Sequence, residues 1–278
     1  MLIKEKKIWT PDNSFLLEYK AKAESGEIIL GRDLYQELRN LEEDIRDERF
    51  EYDVEKALLR INFIQNCCRL TKSPYYNKPM QLMLWQKALI EATYSFKMMS
   101  IDTKEWIERF EEILLIIARK NGKTETIAAL ELAELILGES GSDIICSGMD
   151  DGTSDLSYQT VDTMRLLIDP KSKDTWRNQK GLKCVVNNNH IYKLSDSTRQ
   201  KEGRNIDFAG VDEVWSLTDG GISEPIKRST STKQNCKIFL FGSEGYVDDG
   251  FLDKKRKEYL KIIYKEDDRD SSLRKLPW

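Results

Sequence analysis

Apolar residues recur at helical spacing three times in the first hundred positions. Leu34, Leu38, Leu41 and Ile45 place one apolar stripe on the charged segment 32–50, which predicts a surface helix. Val54, Ala57, Leu58, Ile61, Ile64 and Cys68 repeat the pattern more strongly over 54–70, and residues 82–98 predict a third helix. Residues 1–30, punctuated by Pro11 and Gly26, are expected to be irregular or only marginally structured. Residues 71–79 carry Ser73-Pro74 and Lys78-Pro79 and read as a loop. Residues 102–109 form a polar connection with room for a short helix.

The pattern changes at residue 113. Short continuous apolar runs at 113–118, 143–147, 206–211 and 237–241 read as buried strands, with helices expected at 156–168 and 250–264. Runs at 184–186 and 190–194 flank Asn187-Asn188-Asn189, a hairpin signal. Strands alternating with helical crossovers imply an α/β fold whose mostly parallel central sheet is covered on both faces. The expected division is a helical segment at 1–100, a core at 101–265 and a terminal segment at 266–278.

The first core strand runs straight into Arg119-Lys120-Asn121-Gly122-Lys123-Thr124 and then a helix. Strand, glycine turn, Lys-Thr and helix is the context of a phosphate loop. Backbone N–H groups of such a turn cradle phosphates, and the helix presents its positive end to them. Lys123 would reach the β- and γ-phosphates, Thr124 would bring a hydroxyl to magnesium, and Arg119 and Lys120 add cations. Ile117 stands where the usual pattern has its first glycine. The plainer alternative is a basic turn capped by Thr124. The strand 206–211 ends in Asp212-Glu213. One acid could hold a magnesium shell and the other orient the attacking water, or both could simply face solvent. Asp207 interrupts that strand's apolar run. A third strand, 237–241, ends in Gly242-Ser243-Glu244-Gly245, a turn that could sense the γ-phosphate or be no more than a turn.

Composition narrows the partners only slightly. The 278 residues hold 44 Lys and Arg against 48 Asp and Glu, so local patches, not net charge, would decide nucleic-acid binding. Lys171, Lys173, Trp176, Arg177 and Lys180 form one such patch, and Lys227, Arg228, Lys233 and 254–257 form others. Each reads equally as a solvated surface. Five cysteines without a C-x-x-C pair point to a reducing compartment. No run approaches a membrane span, and the N-terminus lacks a secretory signal. His190, the one histidine, has no partners for a zinc site, and Ser195 has no triad around it.

Several ordered motifs together resemble the ATPase half of the large terminase subunit of tailed bacteriophages. They are Lys78-Pro-Met-Gln-Leu-Met-Leu-Trp-Gln86, Ala118-Arg-Lys-Asn-Gly-Lys-Thr124, Asp212-Glu213-Val214-Trp215 and Phe241-Gly-Ser-Glu-Gly-Tyr246. The resemblance runs from about residue 15 to 265. It implies a P-loop NTPase fold and magnesium-dependent ATP hydrolysis that drives viral double-stranded DNA into a procapsid. It makes the missing first glycine an expected departure and gives Arg119 a catalytic or phosphate-sensing role. Gln86 becomes the adenine-contacting amide, with Trp85 and Leu82 near the base. The ATP-binding set is then Gln86, Arg119, Lys120, Asn121, Gly122, Lys123 and Thr124. Thr124 and Asp212 would hold magnesium, with Glu213 as the base and Ser243 in the coupling motif, where only one of the family's two hydroxyls is present. Portal protein, the small terminase subunit and a homo-oligomeric ring are the implied partners. The implied location is the host bacterial cytoplasm, transiently at the procapsid portal vertex. Complete large terminases add an RNase H-like nuclease domain. Glu266-Asp267-Asp268 with Asp270 is expected to be a solvated segment or the start of a linker, and the nuclease to be missing from this chain. The alternatives are another P-loop DNA translocase or helicase-like ATPase, and a nucleotide-gated assembly module with little turnover.

Overall fold

The computed structural model describes residues 7–148, 150–194, 206–216, 223–230, 233–243, 249–266 and 274–278. Two strands buried on both faces mark the middle of its main sheet. They are β9 (Ile206–Asp212) and β10 (Lys237–Gly242), and every residue of β10 is buried. Such strands need continuous apolar runs, which is how both were recognisable. The sheet has eight strands in the order β11-β4-β10-β9-β5-β8-β7-β6. β4 is Glu112–Ile116, β5 Asp143–Gly148, β6 Thr175–Arg177, β7 Leu182–Cys184, β8 His190–Leu194 and β11 Lys275–Pro277. The six strands from β11 to β8 pair in parallel, and β7 and β6 close the sheet with antiparallel pairs.

Side chains along β4 alternate between two cores. Ile113 and Leu115 join the larger cluster with helix α5 (Lys123–Leu137), while Leu114 and Ile116 join a smaller one with α8 (Phe251–Ile263). α6 (Asp151–Ile168) packs on α5 and β5. Gly210 lets α5 lie close to β9, since a Cβ there would stand 2.5 Å from Glu131 Oε1 and 2.8 Å from Ile127 Cγ2. The interruption at Asp207 has a structural use. Its carboxylate pairs with Lys233 at 2.8 Å and accepts the Asp143 N–H at 3.2 Å, where the β5–β9 register shifts.

The first 110 residues differ from the sequence reading in three places. Residues 15–24, expected to be irregular, form α1 (Phe15–Glu24). Ser14 caps it, and the buried Glu91 accepts the N–H groups of Phe15 and Leu16 at 2.9 and 3.2 Å. The helix expected over 82–98 stops earlier, as α4 (Leu84–Ser95), and becomes strand β2 (Phe96–Met99). The connection at 102–109 ends in a strand, β3 (Trp106–Glu108), not a helix. β1 (Phe50–Tyr52), β2 and β3 make a small antiparallel sheet, with α2 (Arg32–Arg46) and α3 (Glu55–Cys67) around it. Bidentate Arg60–Glu134 contacts of 2.6 and 3.0 Å tie α3 to α5, and Tyr94 donates to the same carboxylate at 2.8 Å.

Candidate functional site

Three loops, after β4, β9 and β10, meet at the C-terminal edge of the parallel strands, where such sheets place their ligands. β4 delivers residues 117–122. Ile117 donates its N–H to Gly242 O at 3.1 Å, so the chain at the missing-glycine position simply extends the β4–β10 pairing. Its φ is not among the positive ones, and a side chain costs nothing there. The turn comes later. Lys120 has φ 66° and Gly122 φ 77°, and Gly122 is the residue from which α5 springs. Asn121 closes the turn by donating to Ala118 O at 3.1 Å. Lys120 and Asn121 are exposed, and Lys123 is buried at the helix start.

Lys123 joins the two motifs that lie far apart in sequence. Its Nζ stands 2.6 Å from Glu213 Oε1 and 3.3 Å from Asp212 Oδ1. Asp212 is the last residue of β9 and is 4% exposed. Burial pushes its carboxyl above the ordinary aspartate value, Lys123 opposes that rise, and Glu213 adds to it. The Asp212 carboxylate also accepts the Glu213 N–H at 2.8 Å and the Ser157 hydroxyl of α6 at 3.3 Å. Glu213 turns the chain with φ 56°, the left-handed region that few non-glycine residues adopt. Its Oε2 accepts the indole N–H of Trp215.

The remaining sequence candidates surround this cluster. Arg119 Nε donates to the Ser243 hydroxyl at 3.4 Å, and Ser243 is buried at the end of β10. Gln86 lies in α4 with both ends of its amide engaged. Oε1 accepts the Met83 N–H at 2.7 Å, and Nε2 donates to Thr126 Oγ1 of α5 at 2.7 Å. It stands beside the loop, 3.9 Å from where a Cβ on Gly122 would lie. Leu82 is buried and Trp85 packs partly buried against the larger core. The donor chemistry suits magnesium, since the Thr124 hydroxyl and the buried Asp212 carboxylate offer the hard oxygen donors that ion takes. Glu244, Gly245 and Tyr246 lie outside the described residues, as do Ser195, Asp267, Asp268 and Asp270.

Two contributors had no signal in the sequence. Trp215 read only as part of a motif, and Ser157 as one polar residue of a helix; each acquires its role from a neighbour across the fold. The basic patches separate. Lys227 and Lys255 face Glu112 at 3.5 and 2.7 Å, so these cations serve a buried carboxylate. Lys171, Lys173 and Lys180 are exposed along the β6–β7 edge, with Trp176 39% exposed beside them. Arg177 is taken up by Asp162 at 2.9 Å.

Residues 85–261 match the family profile of the terminase large subunit, ATPase domain. The fold is similar to the large terminase of bacteriophage HK97, with a TM-score of 0.65 and 19% identity over 80% of this chain and 43% of that one. The ATPase domain of the Thermus phage P74-26 large terminase aligns at TM-score 0.40, 19% identity, and 51% and 64% coverage of this chain and that one. A large terminase from a thermophilic bacteriophage, solved in complex with ADP, aligns at 0.44, 14%, and 61% and 40%. The chain thus spans less than half the length of the HK97 protein. No curated protein sequence matches it.

Proposed function

The chain belongs to the terminase large-subunit ATPase-domain family, and from that premise we propose that it hydrolyses ATP with magnesium to drive viral double-stranded DNA into a procapsid. The observation that carries the reading is the meeting of Lys123, Asp212 and Glu213 at one strand edge. Lys123, with Arg119 and the backbone of residues 119–124, would take the β- and γ-phosphates, and Gln86 the adenine. Thr124 and Asp212 would hold magnesium, which when bound supplies charge neutralisation at the phosphate oxygens. Glu213 accepts a proton from water as the water oxygen bonds to the γ-phosphorus, and the bond from that phosphorus to the bridging oxygen breaks, releasing ADP. Arg119, in contact with Ser243, is placed to report loss of the γ-phosphate to β10.

The proposed DNA-facing surface is the β6–β7 edge. Lys171, Lys173, Lys180 and Lys183 fall within 13 residues that hold one acid, Asp174. Trp176 and Lys183 are directly paired across the two strands. Exposed lysines on a hairpin suit a phosphate backbone. A homo-oligomeric ring, the portal protein and the small terminase subunit complete the proposed machine, acting in the host cytoplasm at the portal vertex. Among the described residues no helix is long and apolar enough to cross a membrane.

Turnover of ATP by the unmodified protein, Lys123→Ala and Glu213→Ala tests the reading. Lys123→Ala is expected to lose nucleotide binding, and Glu213→Ala to bind but lose at least about 100-fold in turnover. An unmodified protein that binds ATP yet never hydrolyses it, even with DNA and the packaging partners, would instead be a nucleotide-gated assembly module.

A further inference from the structure

Trp215 stands among contacts that hydrolysis as described leaves unused. It lies in the short 3-10 turn Val214–Ser216, directly after Glu213. Its indole N–H donates to Oε2 of Glu213, while the Lys123 ammonium takes Oε1 at 2.6 Å. One carboxylate is thereby shared between a neutral donor and a cation. Two other elements approach the ring. Its Cδ1 would touch a Cβ on Gly242 at 3.6 Å, and the Arg119 guanidinium carbon lies 6.0 Å from a ring centroid. Trp215 is half-buried and also lines a cavity of about 430 Å³ between α2 and α8, together with Ile116, Arg256 and Trp278. The indole thus has neighbours on β10 and on the β4 loop that do not depend on Glu213.

The two donors respond differently to a nucleotide. Phosphates compete for a lysine, and in the proposed reaction Lys123 moves to them. A neutral N–H is drawn to phosphate far less strongly than an ammonium is. Glu213 also has φ 56°, a costly backbone for a non-glycine residue, so its orientation needs outside support. We propose that Trp215 is the positioning residue for the hydrolytic base: it keeps Oε2 of Glu213 in place once Lys123 has left, so that Oε1 meets the attacking water. This rests on the hydrolytic reading above.

The test is Trp215→Phe, which keeps an aromatic ring and removes the donor. Turnover is expected to fall roughly 10- to 100-fold, the scale for a misplaced catalytic group, with KM for ATP changed less than about twofold. In a Glu213→Ala background the same substitution is expected to cost nothing further, because it acts through that glutamate. Equal turnover in Trp215→Phe and the unmodified protein, or additive losses in the double variant, overturns the proposal while leaving the hydrolytic reading intact. Absence of turnover in the unmodified protein overturns both. A measurement on folded protein with Trp215 in place covers the case of a misfolded variant. The chain has six tryptophans, and the indole N–H resonance of Trp215 is expected downfield of its position in Glu213→Gln. It should stay there when a non-hydrolysable ATP analogue binds. A resonance that moves on analogue binding to its Glu213→Gln position means that the contact belongs only to the nucleotide-free protein, and the proposal fails.

Discussion

Among the described residues no N–H or O–H group meets the carboxyl of Glu131, which is 1% exposed in the middle of α5 and is approached only by the weak thiol donor of Cys146. Burial drives its carboxyl far above the ordinary glutamate value. The Cys146 thiol beside it works against that rise, and the charge of Asp212 adds to it. A folded-state value above the unfolded one means that this group costs least stability below the unfolded value, near pH 4.5. Its cost then grows as pH climbs towards the folded value. Glu131→Gln removes the ionisation and nearly keeps the shape. The variant is therefore expected to gain thermal stability over the unmodified chain at pH 8 and to gain less at pH 5, as paired melting curves would show. At this scale the sequence was informative where chemistry demands fixed neighbours. Lys123 and Thr124 follow Gly122, and Asp212-Glu213 end an apolar run. It was silent on Glu131, Ser157 and Trp215, because each acquires its meaning from a side chain or backbone brought close by packing.

Among the elements, β3 is bound to the main sheet through one buried carboxylate. Glu108 meets Lys237 of β10 at 2.5 Å and Lys56 of α3 at 2.6 Å, and Lys237 also donates to Phe110 O at 2.6 Å. Burial alone would raise the Glu108 carboxyl, but the two ammonium groups draw it down to about 2. The stabilisation is therefore complete above about pH 4.5 and fades as pH falls towards 2, worth at most about 3 kcal/mol. Urea midpoints of Glu108→Gln and the unmodified chain should differ most near pH 6–7 and converge on acidification. Arg60 belongs to the same level. Arg60→Ala strips the partner from Glu134, which is 9% exposed, and an unfolding loss of about 3–5 kcal/mol is expected by chemical denaturation. These ties explain why the small sheet was illegible. Trp106–Glu108 is too short for a period to show, and its partner strand Phe96–Met99 continues a helix without any breaking residue. α1 was missed for a related reason, since the group that satisfies its first N–H groups comes from Glu91, far along the chain.

For the whole molecule, the alternation of apolar runs with helices was enough to give the parallel sheet, because strands buried on both faces must be apolar throughout. The order of the strands was not legible, as no local pattern says which run lies beside which. The proposed DNA surface follows from that order, since β6 and β7 end the sheet on the side away from β11. Reversing Lys171, Lys173, Lys180 and Lys183 to glutamate is expected to weaken duplex binding at least about tenfold at low salt. It should also flatten the dependence of affinity on salt, while ATP turnover without DNA stays unchanged. Filter binding across a salt series would check the first two, and a phosphate-release assay the third.

The strand order has a mechanical side. β10 separates β4 from β9, so the two halves of the proposed nucleotide site are not hydrogen-bonded neighbours. At about 4.8 Å per strand spacing, the walls stand about 10 Å apart. The Lys123–Glu213 pair spans that gap like a cross-brace at the rim, while β10 acts as a spacer beneath it. In the proposed reaction, a phosphate that draws Lys123 away would exchange this strut for a removable one, and hydrolysis would take the removable one out. In that proposed cycle the sheet edge would be braced, loaded and unbraced once per turnover, with Ser243 at the tip of the spacer where the change in span would be felt first.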